Sequence, residues 1–215
     1  SSGDALKALE EVAKDTLGEG YAYEWSGMSR EEIEAGNKTV YVFALAILFV
    51  FLVLAALYES WKVPFAVMFS LPAGVFGASV FAYLMNQQNN LYFQIGLLAV
   101  IGLAAKNAIL IIEYAKVRVD ERGMDPVSAA IEAAKIRLRP IIMTSLAFVV
   151  GSVPLAIATG AGAASRVTMG ITVVFGTSIA TIFGVFLIPM MFIIVETFGH
   201  KRVRPKQEVG RLKDM

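Results

Sequence analysis

The chain has 215 residues, of which 57% are hydrophobic and only 17% are charged, and its mean hydropathy is positive. A soluble domain of this length does not need so many apolar residues, so the composition indicates a membrane protein. The net charge is +1 and there is no cysteine, which gives no indication of nucleic-acid binding and excludes disulfides and thiolate metal sites.

Residues 1–37 are predicted to be the end of a soluble domain followed by a short helix that leads into the membrane. Apolar residues recur at helical spacing over 4–16, and Tyr21, Tyr23 and Trp25 alternate with other residues as in a half-buried strand. Chains below about 40 residues rarely bury a core of their own. The chain also begins without an initiator methionine or a signal-like segment. We therefore expect a small α+β remnant of a larger periplasmic domain.

Five apolar runs follow, and each is about as long as the roughly 20 residues needed to cross a hydrocarbon core of about 30 Å. They cover residues 39–58, 63–85, 91–115, 140–159 and 168–195. The predicted fold is therefore an all-α polytopic bundle of five transmembrane helices over 38–199. Small residues recur in the second, third and fifth runs, as expected where helices pack closely in lipid.

Basic residues are distributed unevenly among the segments between these runs. Six lie between Lys116 and Arg139 and six follow Gly199, whereas 86–90 contains none. The positive-inside rule places the two basic segments, including the tail 200–215, in the cytoplasm. Because the number of spans is odd, the N-terminal segment is expected on the opposite side, in the periplasm next to a Gram-negative inner membrane.

The cytoplasmic segment before the fourth run is expected to contain a helix of its own. Asp125 and Pro126 form a capping residue followed by proline at the first helical position, and apolar residues then recur at helical spacing. We predict a helix on the membrane surface over 125–137, with Arg137 and Arg139 at its basic end. Alternatively, these arginines extend to the lipid headgroups.

Lys106 lies deep within the third run, where a cation costs about 2.5–3.5 kcal/mol and normally faces protein or water. Asn107 follows it, and Glu113 shares its helix face at steps of four and three. Arg137 and Thr144 lie seven residues apart, on one face of the fourth helix. If the two faces meet, a titratable ammonium, a hydroxyl and a fixed guanidinium form part of a proton path. No aspartate lies within a span, and Glu113 is near a helix end, so this path lacks a mid-depth carboxylate.

Other chemistries have no support in the sequence. The glycine-rich segment 160–166 lacks the spacing and the lysine of a P-loop. His200 is the single histidine of the chain, so neither a metal site nor a Ser-His-Asp triad is indicated. We predict no catalytic residue, no metal and no bound cofactor.

Five segments resemble one family of transporters. They are residues 55–64 (AALYESWKVP), 92–98 (YFQIGLL), 101–110 (IGLAAKNAIL), 137–147 (RLRPIIMTSLA) and 154–166 (PLAIATGAGAASR). In these segments, and nearly end to end, the chain resembles the C-terminal membrane half of resistance-nodulation-division (RND) pumps, in the hydrophobe/amphiphile efflux branch of AcrB-like multidrug exporters.

The resemblance implies a much longer homotrimeric pump in the inner membrane, driven by the proton motive force. Such pumps export hydrophobic or amphiphilic drugs together with a periplasmic adaptor protein and an outer-membrane channel. It also implies a proton relay of Lys106, Thr144 and Arg137, with Asn107 beside it, that works with an aspartate pair from the N-terminal half of the pump. That pair has no counterpart in this sequence. Two alternatives remain open: an RND-type exporter of another cargo such as metal ions, and a structural or assembly bundle without transport activity.

Overall fold

The computed structural model describes residues 2–18, 20–87 and 89–199. These residues form seven helices: α1 (Ser2–Thr16), α2 (Gly27–Tyr58), α3 (Val63–Met68), α4 (Leu71–Leu84), α5 (Leu91–Arg122), α6 (Pro126–Ala156) and α7 (Ala163–Gly199). No strand occurs in these ranges. The basic tail predicted at 200–215 lies outside them.

The predicted strand near the N-terminus is wrong, and so is the expected α+β remnant. Residues 21–25 have no regular secondary structure. Tyr21 is 77% exposed, and the rings of Tyr23 and Trp25 contact each other edge to face, with 5.7 Å between their centroids. A strand needs a neighbouring strand to pair its backbone N–H and C=O groups, and none of the described residues supplies one. The described part of this region is a helix followed by an irregular segment.

The prediction of five membrane-spanning helices is confirmed. The helical stretches that are long and apolar enough to cross a membrane are Val40–Tyr58, Val63–Leu84, Leu91–Arg122, Pro126–Ala156 and Ala163–Thr197. The first is the second part of α2, which continues without a break from Gly27 because no proline interrupts it. The second consists of α3 and α4 together.

Prolines lie within three of the spans, in α3–α4, α6 and α7. Between α3 and α4 the helix is interrupted before Pro72, and the buried hydroxyl of Ser70 donates to the carbonyl oxygen of Val67 at 2.6 Å. In α6 the helix continues through Pro140, although proline cannot donate the hydrogen bond of that turn. The sequence assigns residues 125–137 to a cytoplasmic surface helix; in the structure Asp125 is the N-cap of α6 and residues 126–137 are its first part.

Helix α7 is the centre of the bundle and packs against α3, α4, α5 and α6. Glycines make these contacts very close. A Cβ built at Gly170 would lie 2.3 Å from the backbone nitrogen of Ala156, and one at Gly77 would lie 2.4 Å from Cβ of Ile179. Such approach between helices in a membrane requires residues without a side chain. By contrast, α2 lies at the edge of the bundle and packs against α3 and α5.

Candidate functional site

Lys106 lies at the middle of α5, a helix of 32 residues that is about 48 Å long at 1.5 Å per residue. Its side chain is exposed rather than buried between helices. Gly102, one turn earlier, is also exposed, and a Cβ built there would meet nothing within 4 Å. The lysine therefore projects from a face of the bundle that the described residues leave uncovered.

Asn107, the next residue, points into the bundle, because successive residues of a helix are rotated by about 100°. It is only 5% exposed. Its Nδ2 donates to Oγ of Ser145 in α6 at 3.3 Å and to Oγ1 of Thr181 in α7 at 3.5 Å. Thr181 in turn donates to the carbonyl oxygen of Thr177 at 2.8 Å. Asn107 thus connects three helices at the depth of Lys106.

The contact between Asn107 and Ser145 also fixes the level of their neighbours. Lys106 and Thr144 are each one residue from this contact, about 1.5 Å along their helices, so their depths differ by about 3 Å at most. Thr144 is exposed, as Lys106 is, and its hydroxyl donates to the carbonyl oxygen of Ile141 at 3.2 Å. No hydrogen bond joins Lys106 to Thr144 in the described structure. The two groups share a depth, and both are accessible from outside the bundle.

Arg137 lies seven residues before Thr144, about 10 Å along α6. Its Cζ is 5.1 Å from the centroid of the Tyr114 ring in α5, within the range of a cation–π contact. Its Nε is buried without a hydrogen-bond partner among the described residues, and an unsatisfied charged group costs more than the roughly 1–3 kcal/mol of a neutral one. No carboxylate of the described ranges forms an ion pair with Arg137. The aromatic ring is therefore its evident anchor.

Tyr114 is itself held by a second arginine. Cζ of Arg118 lies 4.7 Å from the centroid of the same ring, and Nη2 of Arg118 donates to the Tyr114 hydroxyl. Nη1 of Arg118 forms an ion pair of 2.7 Å with Oε1 of Glu132 near the start of α6. This cluster was not predicted from the sequence. An aromatic residue four positions before an arginine on a helix is the signal that could have revealed it.

Glu113 is exposed and lines a cleft of about 280 Å³ at the end of α2. Lys116 closes one side of the cleft, because its Nζ donates to the carbonyl oxygen of Tyr58 at 2.6 Å. The other lining residues are Leu57, Tyr58, Val117, Asp120 and Glu121. Glu113 lies seven residues from Lys106, about 10 Å along α5, and the described residues place no carboxylate at the depth of Lys106. They also contain no group of three or more His, Cys, Asp or Glu side chains able to hold a metal ion.

Five helices long and apolar enough to cross a membrane, with Asn107 buried among three of them and Lys106 exposed beside it, define a multi-pass α-helical membrane protein. Residues 1–196 match the AcrB/AcrD/AcrF family, and the chain belongs to this family of RND transporters. The family resemblance predicted from the sequence is thereby confirmed.

Three relatives illustrate the match. The chain is 49% identical over 210 residues to the toluene efflux pump membrane transporter TtgB of Pseudomonas putida, covering 97% of this chain and 20% of that protein. It is 46% identical over 195 residues to the multidrug export protein AcrF of Escherichia coli, covering 91% of this chain and 19% of that protein. It is 47% identical over 197 residues to the multidrug resistance protein MdtF of another Escherichia coli strain, with coverage of 91% and 19%. The chain spans about a fifth of the length of these relatives.

Proposed function

We propose that this chain is the C-terminal membrane portion of a proton-driven multidrug exporter and that it supplies half of an intramembrane proton relay. Family membership supports the transporter class, and the relatives are named as toluene, multidrug and solvent efflux transporters. One observation carries the relay proposal: Lys106 is a cation at mid-membrane depth on an uncovered face of the bundle.

A lysine in this position requires an anionic partner. A charge at the centre of a bilayer costs about 2.5–3.5 kcal/mol unless it faces protein or water, and a buried cation is tolerated when an anion offsets its desolvation. The described residues offer no carboxylate at this depth. We therefore infer that a helix from the rest of the transporter covers the open face of α5 and α6 and brings the aspartate pair that the family resemblance implies.

Proton binding would then change the contacts of Lys106. Deprotonated aspartates pair with the ammonium and accept a hydrogen bond from the Thr144 hydroxyl, whereas protonated aspartates lose the ion pair. Breaking this pair releases the covering helix from α5 and α6. Because Asn107 joins α5 to α6 and α7, the three helices move as one unit. The uninterrupted α2 carries such a movement from Tyr58 to Gly27 and on to the N-terminal segment.

The remaining features of the exporter belong to the same proposal. The charge distribution supports a periplasmic N-terminus and a cytoplasmic C-terminus in the inner membrane. We further propose that the complete protein is a homotrimer that works with a periplasmic adaptor protein and an outer-membrane channel. Its energy source is the proton motive force rather than a bound cofactor, and its cargo is hydrophobic or amphiphilic drugs.

The proposal is tested with the full-length transporter in proteoliposomes that contain a pH-sensitive dye. Addition of drug should trigger proton flux through the parent protein and not through the variant Lys106→Ala. The matched control is Lys135→Ala, which removes the same group from an exposed position of α6 and should leave the flux unchanged. Normal drug-driven flux in Lys106→Ala would contradict the relay. Flux triggered by metal ions and not by drugs would favour the alternative cargo, and no flux in the parent would favour a structural bundle.

A further inference from the structure

A series of contacts links the first part of α6 to Arg137 by way of α5. Glu132 forms an ion pair with Arg118, Arg118 donates a hydrogen bond to the hydroxyl of Tyr114 and packs on its ring, and Arg137 lies over that ring. The side chain of Arg118 is only 13% exposed, so its ion pair is partly shielded from water. Arg118, itself fixed by the ion pair with Glu132, therefore holds the hydroxyl end of the Tyr114 ring, and the π-system of the ring contacts Arg137.

Arg137 depends on this ring for its orientation. In the described part of the chain it has no carboxylate partner, and its Nε has no acceptor. A long guanidinium side chain near a membrane boundary otherwise extends toward the headgroups and water. Packing against an aromatic face opposes that movement, because the planar guanidinium is attracted by the quadrupole of the ring. The contact thus keeps the charge at the interface of α5 and α6.

We propose that Tyr114 is a positioning residue that fixes the guanidinium of Arg137 in the relay, and that Arg118 and Glu132 hold the ring for this task. The proposal rests on the proposed function, in which Arg137 takes part in proton transfer. Arg137 and Thr144 lie on one helix, about 10 Å apart. A fixed guanidinium places a permanent positive charge at a constant distance from Thr144 and from the carboxylates inferred beside it. Without the Tyr114 ring, the guanidinium of Arg137 could move away from Thr144, although Arg137 and Thr144 themselves are unchanged.

The simplest competing role for Tyr114 is ordinary packing at a membrane boundary, where aromatic residues are common. Two substitutions separate these roles. Tyr114→Phe keeps the aromatic face and loses only the acceptor of the Arg118 hydrogen bond. Tyr114→Leu keeps an apolar side chain and loses the face that binds Arg137. Packing alone predicts that both variants leave the accessibility of Arg137 unchanged, whatever the lost volume in leucine costs in stability. Positioning predicts that leucine, and not phenylalanine, releases the guanidinium of Arg137.

Drug-driven proton flux is measured with the full-length transporter in proteoliposomes. Tyr114→Phe should stay within about 2-fold of the parent, and Tyr114→Leu should lose about 2- to 30-fold, the range that a cation–π contact implies. The double variant Tyr114→Leu/Arg137→Ala should be no slower than Arg137→Ala alone, because residues that act through one another are not additive. Tyr83→Leu, which removes a highly exposed tyrosine of α4, is the matched control and should behave as the parent.

A second measurement reports the position of Arg137 directly. Phenylglyoxal modifies accessible arginines, and mass spectrometry gives the rate at Arg137. This rate should rise in Tyr114→Leu and remain unchanged in Tyr114→Phe. Parent-like flux in Tyr114→Leu, losses that add to those of Arg137→Ala, or an unchanged modification rate would each overturn the proposal. Parent-like flux in Arg137→Ala would instead contradict the proposed relay, and the modification rate would still decide whether Tyr114 holds the guanidinium.

Discussion

Replacing Gly170 with alanine should force α6 and α7 apart. A Cβ at this position would lie 2.3 Å from the backbone nitrogen of Ala156 and 2.6 Å from the backbone carbon of Leu155, whereas favourable contacts between non-bonded carbons begin near 3.5 Å. Backbone atoms cannot rotate away as the end of a side chain can, so the helices must separate by about 1 Å. Overpacking of this kind typically costs about 1–3 kcal/mol.

Gly184→Ala is the matched control, because it makes the same change in the same helix. The nearest atom to a Cβ at Gly184 is the flexible Cδ1 of Ile188, at 3.4 Å. Alanine is favoured over glycine within a helix by about 1 kcal/mol at either position, so the difference between the two variants isolates the steric cost. Thermal unfolding of the full-length transporter in detergent should give a lower midpoint for Gly170→Ala than for Gly184→Ala. Equal midpoints would refute the close approach of α6 and α7.

Two further predictions concern polar contacts. Asn107→Leu should lower the thermal midpoint by removing the hydrogen bonds to Ser145 and Thr181. Side-chain hydrogen bonds in membranes average about 0.6 kcal/mol, so the loss of two should cost about 1 kcal/mol of unfolding free energy. An unchanged midpoint would show that these bonds add no net stability. In α1, the hydrogen bond from Lys14 lowers the pKa of Glu10, so the pair stabilises α1 at neutral pH and this contribution is lost as the pH falls through the lowered value. Lys14→Gln should raise the pKa of Glu10 in a carboxyl-carbon NMR titration, and no change would contradict the contact.

The membrane helices could be predicted from the sequence because bilayer thickness sets the length of an apolar run. The strand at 21–25 could not, because alternation of side chains describes one strand while pairing requires a second. Glycines show a similar limit. Gly170 and Gly102 are the same residue type at helical positions, yet one abuts a neighbouring backbone and the other meets nothing within 4 Å. Which glycine makes a contact depends on how the helices are rotated against each other.

For the candidate site, the sequence predicted the depth of Lys106 and Thr144 better than their surroundings. The helical period places Arg137 and Thr144 on one face of α6. The relative depth of α5 and α6 cannot be read from the period of either helix, and the Asn107–Ser145 contact supplies it. The anchor of Arg137 was missed, because a tyrosine near a helix end is usual at a membrane boundary. Its contact with Arg137 depends on the packing of α5 against α6.

Lys106 and Asn107 are adjacent in α5 but face different surroundings, so effects on stability and on transport can be separated there. Asn107 binds α6 and α7 inside the bundle, so its loss should act first on folding. Lys106 is exposed on the uncovered face, so Lys106→Ala removes no contact among the described residues and should leave the unfolding midpoint of these helices nearly unchanged while drug-driven proton flux is lost. A cation placed at mid-depth with so small a role in the packing of its own bundle is best explained by an anion on the element that covers it.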